Sequence, residues 1–453
     1  MKENDKKFKY IIIGLFILAF IIRLIYIIKI PYNINQHDIT GKYGGIAYIF
    51  NIFNEGKLPE NYIDQNYQQP FNALLSAGFM GLISIFTKDV YIFLESLQVL
   101  QLIISMILMY LIYLICKEIK LKEYTKYLIM VIAAFHPLLI ILSGSINNDN
   151  LSLTLMVSII YFLIRWNKKS NLKNTIILAI LTGLCVLTKL SGAMMAIPIS
   201  YIFISKLLRE TNKISNKYID DKDNKKRKIK VKEVIKKYLI LYSIFACISL
   251  PIGMWYSFRN NIKFGQPILY VQDNINEKLY VGDESVFKRF FPLSEDLIYM
   301  YCRSGLEKNI PAYLIKSSIY GEFNFRTDYI GNLIYSTTII LNISIIVITI
   351  IGFIKNIKRL KEKKKIKRRY CFKNILFLLL IFNIICYLSL NIKIPFTCSM
   401  DFRYLLILLF IGAFFVGMEI EETKSIIKKK MLYKNYLFLN VLLFLLTNYI
   451  ILY

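Results

Sequence analysis

Long apolar segments recur along this 453-residue chain, and they limit its possible folds more than any other feature. A helix needs about 20 mainly apolar residues to cross the hydrocarbon core of a bilayer, and residues 10–30 meet that requirement. Hydrophobic residues make up 56% of the chain. We therefore predict an all-α polytopic membrane protein, with residues 1–453 forming a single integral membrane domain of about 11–12 transmembrane helices. The other apolar segments are residues 71–86, 90–116, 127–142, 151–164, 175–187, 191–204, 238–256, 332–354, 374–390, 405–418 and 435–453.

The formal net charge of +28 is concentrated between these segments. Residues 205–236 hold twelve Lys or Arg against five acidic residues, and residues 355–373 hold eleven against Glu362 alone. In a membrane protein such basic loops stay in the cytoplasm, so the charge is a topology signal and predicts no nucleic-acid partner. The surrounding partner is the lipid bilayer.

The basic N-terminus is expected in the cytoplasm, so the first helix runs outward and residues 31–70 form the first extracytoplasmic loop. Residues 258–331 carry nine basic and nine acidic side chains, and we expect this long neutral segment outside as well. The predicted location is the cell membrane, multi-pass, with a cytoplasmic N-terminus. Six apolar segments lie between the first loop and residues 205–236, where alternation requires an odd number. We expect residues 71–86, interrupted by Asn72, Gly78 and Gly81, not to cross fully.

This topology places most polar residues that lie near the ends of apolar segments at the extracytoplasmic face. Carboxylates beside fixed cations suit displacement of a group from a lipid phosphate, because the nucleophile needs a base and the leaving phosphate needs positive charge. Arginine also presents a bidentate fork to phosphate oxygens. These residues are His37, Asp38, Gln68, Gln69, Asn148, Asp149, Lys189, Arg259, Asn260, Asp401 and Arg403.

Each of these residues also has a purely structural interpretation. Asn148 and Asp149 precede a predicted helix, where such residues commonly cap the first turn. Lys189 could extend its amine to the membrane interface, and Arg259 could simply end a helix there. Asp401 and Arg403 could pair within a loop. The case for function rests on their convergence at one face.

Several motifs together resemble the bacterial glycosyltransferase family 39 proteins, which are related to protein O-mannosyltransferases and aminoarabinose transferases. The resemblance covers residues 10–418 and implies the C-type glycosyltransferase fold. One departure is Gln68-Gln69, where relatives usually have a His-Pro-Pro-Leu motif. The motifs are Gln36-His-Asp38, Tyr67-Gln-Gln-Pro70, His136-Pro-Leu, Ser143-Gly-Ser-Ile-Asn-Asn-Asp149, Thr188-Lys-Leu-Ser191, Trp255-Tyr-Ser-Phe-Arg-Asn260 and Cys398-Ser-Met-Asp-Phe-Arg-Tyr404.

The resemblance implies that Asp38 is the catalytic base, that Asp149 is the second acidic position and that Lys189 contacts the donor phosphate. The function predicted is transfer of a sugar, with inversion, from a polyprenyl-phosphate donor to an extracytoplasmic protein, lipid or cell-wall glycan. No organic cofactor is indicated. A divalent metal could assist, but cysteine and histidine spacing predicts no metal site. The substrate-binding residues predicted are His37, Gln69, Asn148, Asp149, Lys189, Arg259, Asp401 and Arg403.

Two other classes of protein fit the same sequence. A transporter or flippase of a lipid-linked or anionic solute would also use membrane-embedded charges, although near the bilayer midplane and between paired repeats. A non-catalytic scaffold would leave the clustering of charges at one face unexplained.

Overall fold

The computed structural model describes residues 2–37, 44–61, 64–217, 224–268, 270, 279–291, 308–323, 325, 329–360, 368–423 and 426–452. Within these residues the fold is helical, and β-structure is limited to one isolated antiparallel bridge between Tyr280 and Phe396. The α-helices are α1 (Lys2–Lys29), α2 (Gly45–Glu55), α3 (Phe71–Ile83), α4 (Val90–Glu118), α5 (Glu123–Phe135), α6 (Pro137–Leu142), α7 (Asp149–Lys168), α8 (Leu172–Thr188), α9 (Ala196–Lys217), α10 (Asn224–Phe264), α11 (Val286–Phe290), α12 (Ile310–Tyr320), α13 (Tyr329–Leu360), α14 (Arg368–Lys393), α15 (Ile407–Glu422) and α16 (Ile426–Leu452).

Every predicted apolar segment has a helical counterpart, so the all-α membrane fold is confirmed. In the described part of the chain, seven helices are long and apolar enough to cross a membrane. An eighth span arises if Thr397–Leu405 and Ile407–Glu422, bent by 46°, count as one. This criterion finds fewer spans than the 11–12 predicted because several apolar segments are short or divided. Helix α3, for example, has 13 residues, about 20 Å at 1.5 Å per residue. It is shorter than the hydrocarbon core, as expected for residues 71–86.

The division of residues 127–142 into α5 and α6 has a local cause. Pro137 has no backbone N–H, and it restricts His136 to an extended conformation, with φ −61° and ψ 124°. The carbonyl groups at the end of α5 therefore lack their usual intrahelical donors. The predicted continuous helix becomes two helices joined at a buried histidine.

The buried guanidinium of Arg23, on α1, supplies donors to this break. It donates to Ala133 O at 3.1 Å and to Ala134 O at 2.8 Å, and its Nε donates to Ser105 Oγ at 2.9 Å. Asn448, on α16, donates to Phe135 O at 3.0 Å. Cationic and amide side chains from distant helices thus satisfy the exposed carbonyl groups, which explains a charge inside the first apolar span.

Small residues permit the close approach of α8 and α10. A Cβ added to Gly183 would lie 2.7 Å from Ile252 Cβ, and one added to Gly253 would lie 3.0 Å from Val186 Cβ. Contact between small residues is a common basis of helix association in membranes, where packing replaces the hydrophobic driving force. This contact positions the end of α8, from which Lys189 follows.

A second polar layer lies at the opposite end of α15 from Asp401 and Arg403. Buried Glu419 contacts Lys355 at 2.7 Å and Lys373 at 3.3 Å, and Glu421 contacts Arg369 at 2.6 Å. The length of α15, 16 residues, separates the two layers by about 24 Å. The ion pairs join the acidic end of α15 to the basic ends of α13 and α14, and the helices between the layers are mainly apolar.

Replacing Arg23 with Met should destabilise the fold because the carbonyl groups of Ala133 and Ala134 would lose buried donors. Leaving buried polar groups unsatisfied should lower the free energy of unfolding by on the order of 3 kcal/mol. Thermal unfolding of the purified protein in detergent measures the effect. Lys9→Met is the matched control, since Lys9 is exposed on the same helix. Equal unfolding temperatures for Arg23→Met and the wild type would contradict this account of the break.

Candidate active site

Five separate parts of the chain meet at one end of the bundle. They are the segment after α1, the turn before α7, the end of α8, the turn after α12, and the two 3-10 turns that precede α15, Thr397–Met400 and Phe402–Leu405. The residues that bring chemistry to this end are His37, Asp149, Lys189, Glu322, Asp401, Arg403 and Tyr404. We call them the polar cluster.

Gln36 ties the first of these parts to the second. Its Nε2 donates to Gly144 O at 2.8 Å, and its Oε1 accepts from the Ile146 amide at 2.8 Å. Gly144 allows the close packing, because a Cβ there would lie 2.7 Å from the ring of Tyr26. A side-chain amide therefore fixes the turn before α7 relative to the chain that leads to His37.

His37 is buried, and it forms a hydrogen bond with Glu322 in the turn after α12. Its Nδ1 lies 2.6 Å from Glu322 Oε1, and the hydroxyl of Tyr313 donates to Glu322 Oε2 at 3.3 Å. Burial disfavours a charged imidazole, but the hydrogen bond and charge of Glu322 outweigh burial and raise the pKa of His37. Burial also opposes ionisation of Glu322, yet the hydrogen bond and charge of His37 lower the pKa of that carboxyl. The two side chains therefore form an ion pair between the first loop and the turn after α12.

Asp401 approaches this pair from a third direction. One ligand atom each from His37, Glu322 and Asp401 lies within 4.8 Å of the others. Asp401 Oδ1 accepts from the Arg403 amide at 2.6 Å, which begins the second 3-10 turn. Asp401 Oδ2 is buried and has no hydrogen-bond partner in the described part of the chain. Asp401 therefore caps the second 3-10 turn through Oδ1, and its Oδ2 receives no hydrogen bond from the described residues.

Asp149 and Lys189 form an ion pair from the start of α7 to the end of α8. The Lys189 amine lies 5.0 Å from the centre of the Tyr404 ring, and the Arg403 guanidinium lies 5.3 Å from the same centre. Two cations therefore flank one aromatic ring. Lys189 is paired inside the protein, and an interfacial position alone does not account for it.

A small cavity of about 20 Å³ lies beside these residues. That volume holds about one water molecule, so a sugar phosphate requires the surrounding side chains to move apart. The lining includes both partners of the Asp149–Lys189 pair, together with Arg403 and Tyr404 from the second 3-10 turn. Its polar residues are Asp149, Ser152, Lys189, Ser191, Asn383, Arg403 and Tyr404.

Three other predicted site residues hold loops in place. Asn148 Nδ2 donates to Gln68 Oε1 at 2.9 Å, which joins the turn before α7 to the Gln68-Gln69 segment. Gln69 Nε2 donates to Ser257 Oγ at 2.9 Å on α10. Arg259 donates to Pro59 O at 3.0 Å, and its other described hydrogen bond is to Asn260. Binding of substrate by these residues stays a prediction, as does the part of Asp38, which follows His37 but lies outside the described residues.

Glu322 is the principal site residue that the sequence did not single out. It follows Gly321, whose φ of +64° ends α12 in a conformation that favours glycine. The sequence Gly321-Glu322 at the end of α12 is the only local indication of a site residue here. Glu322 is, however, one of nine acidic residues between positions 258 and 331. No sequence pattern distinguished it from the other eight.

This helical bundle, with charged loops gathered at one end, has the C-type fold of membrane glycosyltransferases. The crystal structure of the Archaeoglobus fulgidus oligosaccharyltransferase tethered with an acceptor peptide containing the NVT sequon superposes with a TM-score of 0.51 at 11% identity, covering 98% of this chain and 55% of that chain. The apo form of that protein gives a TM-score of 0.50 at 12% identity, with 98% and 56% covered. The present chain thus spans about half the length of the oligosaccharyltransferase.

Residues 80–219 match the family described as dolichyl-phosphate-mannose-protein mannosyltransferase. This match confirms the resemblance to glycosyltransferase family 39 over that segment, which contains Asn148, Asp149 and Lys189. ArnT from Cupriavidus metallidurans in the apo state aligns at 11% identity over 90% of this chain and 76% of that chain, but its TM-score of 0.38 is too low to bear on the fold. No curated protein matches the chain by sequence. Together, the superpositions show the fold, and the family match adds a sequence similarity over residues 80–219.

Proposed function

We propose that the protein transfers a sugar from a polyprenyl-phosphate donor to an acceptor on the extracytoplasmic side of the cell membrane. The observation that carries this proposal is the convergence of Asp149, Lys189 and Arg403, from three distant parts of the chain, around the ring of Tyr404. A cationic pocket at the end of a membrane bundle suits a phosphate whose lipid chain remains in the bilayer.

The two cations would bind the donor phosphate in complementary ways. Arg403 can offer two parallel N–H donors to phosphate oxygens, whereas the Lys189 amine acts as a compact charge. As the bond from the sugar to the phosphate breaks, negative charge grows on the phosphate and its attraction to both cations strengthens. Asp149 would orient Lys189 and hydroxyl groups of the sugar.

Asp38 would act as the general base of a single displacement. The acceptor oxygen attacks the anomeric carbon, its proton passes to the Asp38 carboxylate, and polyprenyl phosphate departs from the opposite side with the electrons of the broken bond. One displacement inverts the anomeric configuration. Asp38 directly follows His37, a member of the polar cluster, which supports this assignment.

The proposed orientation places the polar cluster outside and residues 205–236 and 355–373 in the cytoplasm. The basic composition of these two segments supports it. The opposite polar layer, where Lys355, Arg369 and Lys373 pair with acidic residues of α15, supports it too.

A transporter is less well supported by the positions of the charges. The polar cluster lies at helix ends, whereas a transported solute requires polar groups near the bilayer midplane. The buried cation on the first span, Arg23, donates hydrogen bonds to Ala19, Ala133, Ala134 and Ser105. These bonds serve the helix break.

Removing either cation should impair transfer of the sugar, and thermal unfolding in detergent distinguishes this effect from loss of the fold. We expect Lys189→Ala and Arg403→Ala each to lower turnover by roughly 10²–10³-fold, as loss of one preorganised group facing a developing anion does. The measurement is release of polyprenyl phosphate from a polyprenyl-phosphate sugar by purified enzyme. Lys393→Ala is the control, because Lys393 is an exposed cation on α14. Wild-type turnover in both site variants would remove these residues from the donor site.

Asp38→Asn should abolish transfer while leaving donor binding intact, because asparagine preserves the shape of aspartate but is not a base. The assay compares turnover with binding of the donor to purified protein, and it determines the anomeric configuration of the wild-type product. Native turnover in Asp38→Asn would contradict the proposed base. A product that retains the donor's configuration would contradict the single displacement.

A further inference from the structure

We propose that His37, Glu322 and Asp401 form a binding site for one divalent transition-metal ion. The site can be tested independently of the transfer reaction; its suggested role in that reaction rests on the proposed function. The three side chains come from the loop after α1, the turn after α12 and the junction of the two 3-10 turns before α15. Spacing along the sequence could not reveal a site whose ligands lie so far apart in the chain.

The separations suit a metal ion. Nitrogen and oxygen ligands lie about 2.0–2.2 Å from such an ion, so two ligands on opposite sides are up to about 4.4 Å apart. The ligand atoms of His37, Glu322 and Asp401 all lie within 4.8 Å of one another. The three atoms are therefore close enough for one ion to contact all of them after the side chains adjust.

Asp401 provides an independent reason to expect a cation. Asp401 is only 1% exposed, and its Oδ2 has no hydrogen-bond partner in the described part of the chain. A buried carboxylate oxygen without a donor is costly. Coordination by a metal ion would satisfy this oxygen directly.

The groups around the three ligands already orient them. Tyr313 donates its hydroxyl to Glu322, and the backbone amide of Arg403 donates to Asp401 Oδ1. Hydrogen bonds of this kind hold metal ligands in place and tune their basicity. The imidazole of His37 coordinates a metal as the neutral base, so the ion takes the place of the proton shared with Glu322.

One imidazole and two carboxylates indicate the type of metal. Mg²⁺ prefers an all-oxygen environment with several waters, whereas Mn²⁺ and Zn²⁺ accept mixed nitrogen and oxygen ligands. Two carboxylates balance the charge of a divalent ion. The Arg403 backbone amide donates to Asp401, so the ion would add positive charge near the proposed phosphate site and help to stabilise the leaving phosphate.

The test uses full-length protein purified in detergent, treated with a chelator, and titrated with Mn²⁺ while free Mn²⁺ is measured by electron paramagnetic resonance. We expect one ion bound per chain. Asp401→Asn and Glu322→Gln should each weaken Mn²⁺ binding by at least about tenfold, the lower end of losses seen around metal sites. Glu284→Gln is the control, because Glu284 is an acidic residue that pairs with Lys308 and is not one of the three proposed ligands.

Absence of stoichiometric Mn²⁺ binding to the wild type would overturn the site, whatever the variants do. Equal affinity in the wild type, Asp401→Asn and Glu322→Gln would also overturn it, provided that thermal unfolding shows the variants to be folded. If Mn²⁺ binds as expected but chelator-treated enzyme transfers sugar at the full rate, the catalytic role of the metal is wrong. In that case both the site and the proposed glycosyltransferase activity stand.

Discussion

The need to neutralise charge at the boundary of an apolar bundle organises this structure. Asp149 is buried at the first residue of α7, where an isolated carboxylate would be strongly disfavoured, and it pairs with Lys189 from the end of α8. The same constraint draws Glu322 to His37. Each pair joins segments that are distant in the chain. Charge pairing therefore holds the loops in the positions that the proposed chemistry requires.

The helical bundle beneath the loops contains a helix break, between α5 and α6, whose lost backbone hydrogen bonds are replaced by side chains. Pro137 divides a helix inside the membrane, and Arg23 satisfies the carbonyl groups that the division exposes. Divided helices are tolerated in membranes where protein groups replace the lost backbone hydrogen bonds. Helix α6, which follows the break, leads into the turn that Gln36 holds. The break thus lies directly behind one of the loops of the polar cluster.

Sequence alone predicted the fold class and much of the polar cluster, because the length of apolar segments and the distribution of basic residues are local signals. It placed His37, Asp149, Lys189 and Arg403 at one end of the bundle, where the structure also has them. It missed Glu322, since the ion pair with His37 depends on the tertiary path of a long loop. The division at Pro137 was not predicted, although proline is a local signal of a helix break. The donors that compensate for it, from Arg23 and Asn448, depend on the tertiary structure.

The two cations beside Tyr404, Lys189 and Arg403, are the proposed binding site for the phosphate of a lipid-linked sugar. A structure with a non-hydrolysable polyprenyl-phosphate sugar analogue tests it most directly. We expect the phosphate within about 4 Å of both the Lys189 amine and the Arg403 guanidinium, the range of an ion pair. A phosphate bound instead in the opposite polar layer, beside Lys355 and Lys373, would show that Lys189 and Arg403 are not the donor site.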